Sequence, residues 1–234
     1  IGILKEVLER YPDRNTRIVT HEINKGLPAA RNTGLALATG EYVYHCDSDD
    51  WVEIDMYEKL YKSAVSNGYD ITSCYYYRND PDMQSILKPA DCYRLLTGPL
   101  WNRLVKRDLY FDNDIMYPNA NKAEDGALMV QLSYYAKKIG YVKEPLYHYR
   151  NNPQSICGCT SEDKVISRFM QEVENTNLRM DFLKRENKYD EYYQTTTKST
   201  TKYDEQHAEY AGRARLPLRC RPRRDHHLRR VPAA

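Results

Sequence analysis

Residues 41–50 read EYVYHCDSDD, an apolar run followed at once by three carboxylates within four positions. The apolar run has the composition of a buried strand, so the acidic turn, residues 47–50, would lie at its carboxyl end. Carboxylates this close repel one another unless a cation lies among them. Ligands of open α/β sheets bind outside the carboxyl ends of the strands. The turn therefore predicts a site for Mg²⁺ or Mn²⁺ with a nucleotide diphosphate, or else a solvated turn that caps the next helix.

The segments on either side of the acidic turn alternate between helical and strand-like patterns. Pro28 opens a run of small residues with helical spacing, and an amphipathic helix is predicted after the turn. Residues 78–99 contain the turn signals NDP, KP and GP and are interpreted as loops. We expect strands over residues 17–21, 41–46 and 70–77 and helices over residues 28–39 and 55–66. This alternation predicts a layered α/β domain with a mostly parallel sheet.

The second half of the chain adds further elements and then changes character. An apolar helix is expected over residues 127–136, followed by strands over 140–142 and 145–149. Residues 161–186 have the pattern of a long amphipathic helix. The tail over residues 195–234 begins with a low-complexity stretch, and its residues 212–234 are Arg- and Pro-rich, a composition that cannot bury enough surface to fold by itself. The tail is interpreted either as a basic arm that binds an anionic membrane or polyanion, or as sequence foreign to the domain.

The bulk composition is that of a globular protein without a nucleic-acid footprint. Hydrophobic residues make up 41% of the 234 residues, and no apolar run approaches the roughly 20 residues that span a bilayer. The net charge is +2, but residues 212–234 hold eight Arg and one Asp, which leaves 27 basic and 32 acidic residues, or −5, in residues 1–211. An acidic body argues against nucleic acid as a partner. The six cysteines lack zinc-site spacing and favour a reducing, cytoplasmic compartment.

The acidic turn belongs to a longer series of motifs with a definite order and spacing. Residues 24–35 read NKGLPAARNTGL, residues 38–42 read ATGEY, and Trp51 follows the turn. This series closely resembles the family 2 glycosyltransferases, inverting enzymes of the GT-A type. The resemblance extends over residues 1–190 and includes later landmarks of bacterial members: WNRL at 101–104, ED at 124–125 and YHYR at 147–150.

The resemblance implies a donor site around the acidic turn. Asp47 and Asp49 match the D-x-D motif, whose carboxylates hold Mg²⁺ or Mn²⁺ and contact the nucleotide sugar, and Asp50 adjoins them. Arg31 matches an arginine near the nucleotide, and a guanidinium suits diphosphate oxygens well. The alternative for Arg31 is an ion pair with a carboxylate on its own sheet face.

The same resemblance implies an acceptor side. Asp125 matches the general base of the E-D motif, with Glu124 beside it, and its alternative is a helix cap. A base within hydrogen-bond reach is needed because the acceptor hydroxyl loses a proton as it attacks the anomeric carbon. Trp101 is a candidate to stack on an acceptor sugar, or else a core residue beneath the acceptor loop.

The implied function is sugar transfer, with inversion and metal assistance, from a nucleotide-diphosphate donor to a glycan or lipid-linked acceptor. A UDP-sugar is the expected donor, and cell-surface polysaccharide synthesis the expected context. The expected location is the cytoplasm, with peripheral association at the inner face of the bacterial membrane. Two other acidic motifs fit less well, because Trp51 stands where a haloacid-dehalogenase phosphatase has Thr or Val, and Val52 where an EF-hand needs Gly.

The chain departs from the family at its beginning. Members open with an apolar strand and a second strand that ends in an acidic pair, and neither precedes the helical pattern at residues 3–10. We therefore expect a partial GT-A-like domain over residues 1–150 that lacks its first strands, a helical extension over 151–194 and a basic tail over 195–234. Since those strands form most of the nucleoside pocket, the alternative function is an inactive glycosyltransferase fragment or a non-catalytic remnant.

Overall fold

A computed structural model describes residues 2–80, 83–87, 98–120, 122–150, 152 and 162–191. Residues Ile1–Tyr189 form one compact unit, and Asp190–Ala234 form a second unit, of which only Asp190 and Glu191 are described. The predicted basic tail at residues 195–234 therefore lies outside the described residues.

Helices and strands alternate along much of the chain. The helices are α1 (Gly2–Glu9), α2 (Leu27–Leu37), α3 (Met56–Asn67), α4 (Arg107–Phe111), α5 (Glu124–Tyr135) and α6 (Glu162–Arg185). The strands are β1 (Tyr42–Tyr44), β2 (Trp51–Val52), β3 (Ile71–Asp80), β4 (Met83–Leu87), β5 (Arg103–Lys106) and β6 (Ile139–Arg150). The predicted helices are confirmed as α2, α3, α5 and α6. None of the helices in the described part of the chain combines the length and apolarity needed to span a bilayer.

The predicted strands are confirmed at β1, β3 and β6, where the two late strands join into one. The strand predicted over residues 17–21 is wrong, since Ile18 and Val19 are 40% and 50% exposed and this segment pairs with no strand among the described residues. A β-branched run without a paired neighbour leaves its backbone groups to water and gains no sheet. The loop prediction for residues 78–99 is wrong at 78–80, which belong to β3, and at 83–87, which form β4.

The strands form one mixed sheet with the order β1-β5-β3-β6-β2, and β4 pairs with β3. The α/β class is confirmed, but the prediction of mostly parallel pairing is wrong. Among the described strands only β3 and β6 pair in parallel. The two-residue connection from β3 to β4 permits only an antiparallel hairpin. Strand β5 lies antiparallel between β1 and β3 and so separates two strands that share a direction.

Two apolar clusters hold the helices against the sheet. In the first, Leu128, Met129 and Leu132 of α5 meet Ile71 of β3 and Val105 of β5, and all five side chains are 0% exposed. Helix α6 extends this cluster on the far side of α5, where its Phe182 ring contacts two tyrosine rings of that helix. Strands β3 and β5 thus share one core with α5, the helix that opens with the predicted E-D motif.

The second cluster packs α3 onto β6. Met56, Leu60 and Ala64 recur every fourth residue on α3, are 0% exposed, and meet Leu146 of β6 in the same cluster. Helix α3 ends at Gly68, whose φ of 65° is the left-handed conformation that glycine adopts without a side-chain penalty. This packing places β2, and with it the acidic turn, beside the last part of β6.

Truncating a side chain in this second cluster should destabilise the fold. We expect Leu60→Ala to lower the free energy of unfolding by about 2–5 kcal/mol, because it removes a fully buried side chain and leaves a cavity. Urea unfolding followed by circular dichroism measures the change. Val65→Ala on the same helix is the matched control, since Val65 is 50% exposed. Equal losses for both variants would contradict the assigned core.

Candidate functional site

Helix α2 directs Arg31 towards the end of β1. The helix begins after Gly26 with Pro28 in its first turn, where a missing N–H costs no hydrogen bond. The Asn32 side chain donates to the carbonyl oxygen of Tyr117 and accepts from the N–H of Tyr117, each at 2.9 Å. These two bonds fix the rotation of α2 about its axis, and therefore the direction of the neighbouring Arg31.

The Arg31 guanidinium lies among three carboxylates. Its Nη2 donates to Asp47 Oδ1 at 2.8 Å, and its Nη1 donates to Glu124 Oε1 and Asp125 Oδ1 at 2.9 Å each. The Arg31 side chain is 9% exposed, whereas Asp47 is 29% exposed. Because Asp47 follows β1 and the other two carboxylates open α5, the guanidinium joins the ends of two elements. We refer to Arg31, Asp47, Glu124 and Asp125 as the arginine cluster.

The arginine cluster holds three acidic groups and one basic group, and the pKa values of Glu124 and Asp125 are raised. Burial, followed by repulsion from Asp125, raises the pKa of Glu124 to about 7. Burial also raises the pKa of Asp125, opposed by Arg31 and by the N–H of Leu100, which donates to Asp125 Oδ2 at 3.2 Å. Burial alone would lower the pKa of Arg31, but the charges of its carboxylate partners hold it above its usual value. The Glu124–Asp125 pair thus keeps a proton to higher pH than free carboxylates do.

Aromatic rings and an uncharged histidine line the arginine cluster. The guanidinium carbon of Arg31 lies 5.3 Å from the centre of the Tyr117 ring. The His45 ring meets the edge of Tyr117 at 5.3 Å, and its Nε2 lies 3.5 Å from Tyr110 Oη. Burial, aided by Arg31, lowers the pKa of His45 to about 4, so this ring is uncharged at neutral pH. Sequence reasoning missed Tyr117, which lies in no motif and is brought here only by packing.

The other two acids of the turn are held by the end of β6. Asp50 accepts from Tyr147 Oη at 2.5 Å and from the N–H of Arg150 at 2.7 Å. Asp49 Oδ2 accepts from the Asn152 side chain at 3.0 Å. Burial raises the pKa of Asp50, and the two hydrogen bonds oppose that shift. The YHYR segment, noted in the sequence only as a landmark, therefore anchors the acidic turn.

The structure brings together most of the predicted residues but not all. Arg31 forms ion pairs with carboxylates, which was the alternative expected for this residue. A contact between Arg31 and a nucleotide stays a prediction. Trp101 is 8% exposed, with its ring stacked 4.5 Å from Tyr147 and 5.4 Å from Tyr149. These contacts are typical of a core residue. Stacking of Trp101 on an acceptor sugar also stays a prediction.

The acidic turn offers oxygen ligands for a hard cation. Among the described residues, no protein partner uses Oδ2 of Asp47 or Oδ1 of Asp49, since their hydrogen bonds involve the other oxygen of each carboxylate. Mg²⁺ and Mn²⁺ accept such a set, which one or two carboxylates supply and substrate phosphates and water complete. In the described part of the chain no three His, Cys, Asp or Glu side chains form a ready metal cage. The residues therefore fit a cation that arrives with a phosphorylated ligand.

Several known proteins are similar in sequence to this chain. The family model for glycosyl transferase family 2 matches residues 3–109. The chain is 32% identical to the uncharacterized glycosyltransferase EpsJ of Bacillus subtilis, over 64% of this chain and 50% of EpsJ. It is 30% identical to the cholesterol galactosyltransferase of Borreliella burgdorferi, over 62% of this chain and 47% of that protein. The chain spans about half the length of these relatives.

A solved structure shares the fold. The crystal structure of S. aureus TarS 1-349 in complex with UDP-GlcNAc superposes with a TM-score of 0.59 and 17% identity. The match covers 78% of this chain and 59% of the TarS chain. At this identity the likeness concerns the fold alone, and it confirms the predicted GT-A-like class.

The raised pKa of Glu124 predicts a pH-dependent stability. Between about 4.5, the usual pKa, and about 7 the folded state binds more protons than the unfolded state, so the contribution of Glu124 to stability falls as pH rises. We expect Glu124→Gln to gain stability relative to the unsubstituted chain over this interval, measured by urea unfolding at several pH values. Glu58→Gln, at an exposed position of α3, is the matched control. A stability difference that does not change with pH would show that Arg31 keeps Glu124 ionised throughout.

Proposed function

Because the chain belongs to family 2 of the glycosyltransferases, we propose that it transfers a sugar from a nucleotide-diphosphate donor to a glycan or lipid-linked acceptor. The observation that carries the proposal is the arginine cluster, which joins the acidic turn to the acids that open α5. The TarS structure with UDP-GlcNAc supports a UDP-sugar as donor. Relatives that act on poly(ribitol-phosphate) support a cell-surface polysaccharide as the context. A lipid-linked acceptor would be met at the inner face of the bacterial membrane, with which the protein would associate peripherally.

The donor side of the proposal rests on Arg31, Asp47, Asp49 and Asp50. Asp47 and Asp49 would hold Mg²⁺ or Mn²⁺, which as a Lewis acid stabilises the charge that develops on a diphosphate leaving group. Asp50 is fixed by Tyr147 and keeps the turn in place. Arg31 can donate to diphosphate oxygens in the same geometry that it now uses for carboxylates.

The acceptor side rests on Asp125. Its carboxylate would take the proton of the acceptor hydroxyl while the hydroxyl oxygen bonds to the anomeric carbon and the bond from that carbon to the diphosphate breaks. One such displacement inverts the anomeric centre. Glu124, with its raised pKa, can keep the shared proton and leave Asp125 ionised. Trp101 would contribute by supporting the acceptor side from the core, or by contacting the sugar if its indole became more exposed.

Removing the carboxylate of Asp49 tests the metal. We expect Asp49→Asn to lose the strengthening of UDP binding by Mn²⁺, by about tenfold or more, because one of the two proposed metal ligands becomes neutral. Calorimetric titration of UDP with and without Mn²⁺ measures this difference. The exposed Asp112→Asn is the control. If Asp49→Asn retained the full effect of Mn²⁺, the assignment of this ligand would fail.

Neutralising Asp125 tests the base. We expect Asp125→Asn to reduce sugar transfer about 10²- to 10⁴-fold while the affinity for UDP in Mn²⁺ stays within twofold, since the proton acceptor is removed and the donor site is not. Release of UDP from UDP-sugars in the presence of a bacterial lipid extract measures transfer. Asp108→Asn, also in the first turn of a helix, is the control. Loss of UDP binding would assign Asp125 a structural role, and an unsubstituted chain that neither binds UDP nor transfers sugar would support the non-catalytic alternative.

A further inference from the structure

Three rings form a continuous stack across the end of the sheet. His148 on β6 pairs in register with Tyr77 on β3 and with Trp51 on β2. The Tyr77 ring stacks on His148 at 4.5 Å and 22°, and the Trp51 ring stacks on it at 5.0 Å and 12°. Because β6 lies between β3 and β2, the two rings approach His148 from opposite sides.

The stack ends in an exposed indole. Strand β2 ends the strand order, so among the described strands none lies beyond Trp51 on the side away from His148. Trp51 is accordingly 48% exposed, whereas His148 is 9% exposed. His148 Nε2 also contacts Glu53 Oε1 at 2.8 Å, which holds the imidazole in the plane against which the indole rests. The outward face of Trp51 is therefore both accessible and fixed in orientation.

Acidic residues lie near the exposed ring. Asp49 and Asp50 directly precede Trp51 in the chain, and Glu53 contacts the histidine on which Trp51 stacks. An apolar ring face with acidic groups nearby matches a pyranose, which offers C–H groups on one face and hydroxyl donors at its rim. An apolar protein partner or a lipid surface would instead remove water from these charged groups.

We propose that the outward face of Trp51 is a stacking subsite for a pyranose ring, placed beside the acidic turn. The subsite rests on the proposed function for its context, since the acids next to Trp51 belong to the proposed donor site. The pyranose could come from the sugar of the donor or from the acceptor glycan. None of the predicted site residues provides such a face, because Trp101, the other indole of the chain, is buried.

The test uses the fluorescence of Trp51 in the 234-residue chain. Since the chain has two Trp, the signal of the unsubstituted chain minus that of Trp51→Phe isolates this residue. The titrants, each with Mn²⁺, are UDP, UDP-glucose, UDP-N-acetylglucosamine, cellobiose and chitobiose. A change with the UDP-sugars beyond that with UDP assigns the subsite to the donor sugar. A change with the disaccharides alone assigns it to the acceptor.

Two results would overturn the proposal. One is that UDP changes the Trp51 signal as much as the UDP-sugars do while the disaccharides change nothing. The other is that Trp51 responds to phosphatidylglycerol vesicles and to no sugar, which would make the ring a membrane contact. Calorimetry of UDP with Mn²⁺ on the same sample separates these outcomes from failure of the proposed function, because UDP can bind whether or not Trp51 meets a sugar.

Substitutions provide a second readout. For the sugar that alters the Trp51 signal, we expect Trp51→Ala to raise the half-saturating concentration in calorimetry about tenfold, the size typical for loss of one aromatic contact. Trp51→Phe should recover part of that loss, since it restores a flat ring against His148. Tyr61→Ala is the matched control, because Tyr61 is 49% exposed on α3 and contacts another ring away from this stack. Equal weakening by Trp51→Ala and Tyr61→Ala would also overturn the subsite.

Discussion

The pairing of one buried guanidinium with three carboxylates is the constraint on which the site depends. Removing one partner of a buried ion pair leaves charge that water cannot reach, and such losses are costly. Arg31 therefore holds the end of β1 and the beginning of α5 at a fixed separation. The proposed donor side and the proposed base are built on those two ends. A single side chain of α2 thus sets the distance between them.

The cluster also has a charge surplus with chemical consequences. One guanidinium cannot neutralise three carboxylates, and His45 adds no charge because burial lowers its pKa to about 4. Burial and this surplus together raise the pKa of Glu124, and a cation near Asp47 would lower the repulsion among the carboxylates. A phosphorylated ligand with its metal would bring both opposite charge and its own oxygens.

Strand β6 contacts Asp50 with one residue and Trp51 with the next, because successive residues of a strand lie on opposite faces of the sheet. Tyr147 points its hydroxyl to Asp50, and the next residue, His148, lies on the opposite face beneath Trp51. One strand therefore anchors the proposed donor site with one residue and supports the proposed sugar subsite with its neighbour. This dual role depends on the register of β6 with β2 and β3, since a slip of one residue would exchange the faces.

The local features follow from the amino-acid sequence: the helix that carries Arg31, the acidic turn after an apolar strand, the acids that open α5, and the resemblance of these motifs to one family. Each of these features depends on short-range spacing along the chain. The sheet pairing, in contrast, is known only from the folded structure, because strand direction depends on which distant segments meet. Arg31 contacts carboxylates 16, 93 and 94 residues away, and no local pattern encodes those distances. The same limit applies to the two indoles: sequence pointed to Trp101, whereas packing buried Trp101 and left Trp51 at the open end of a stack.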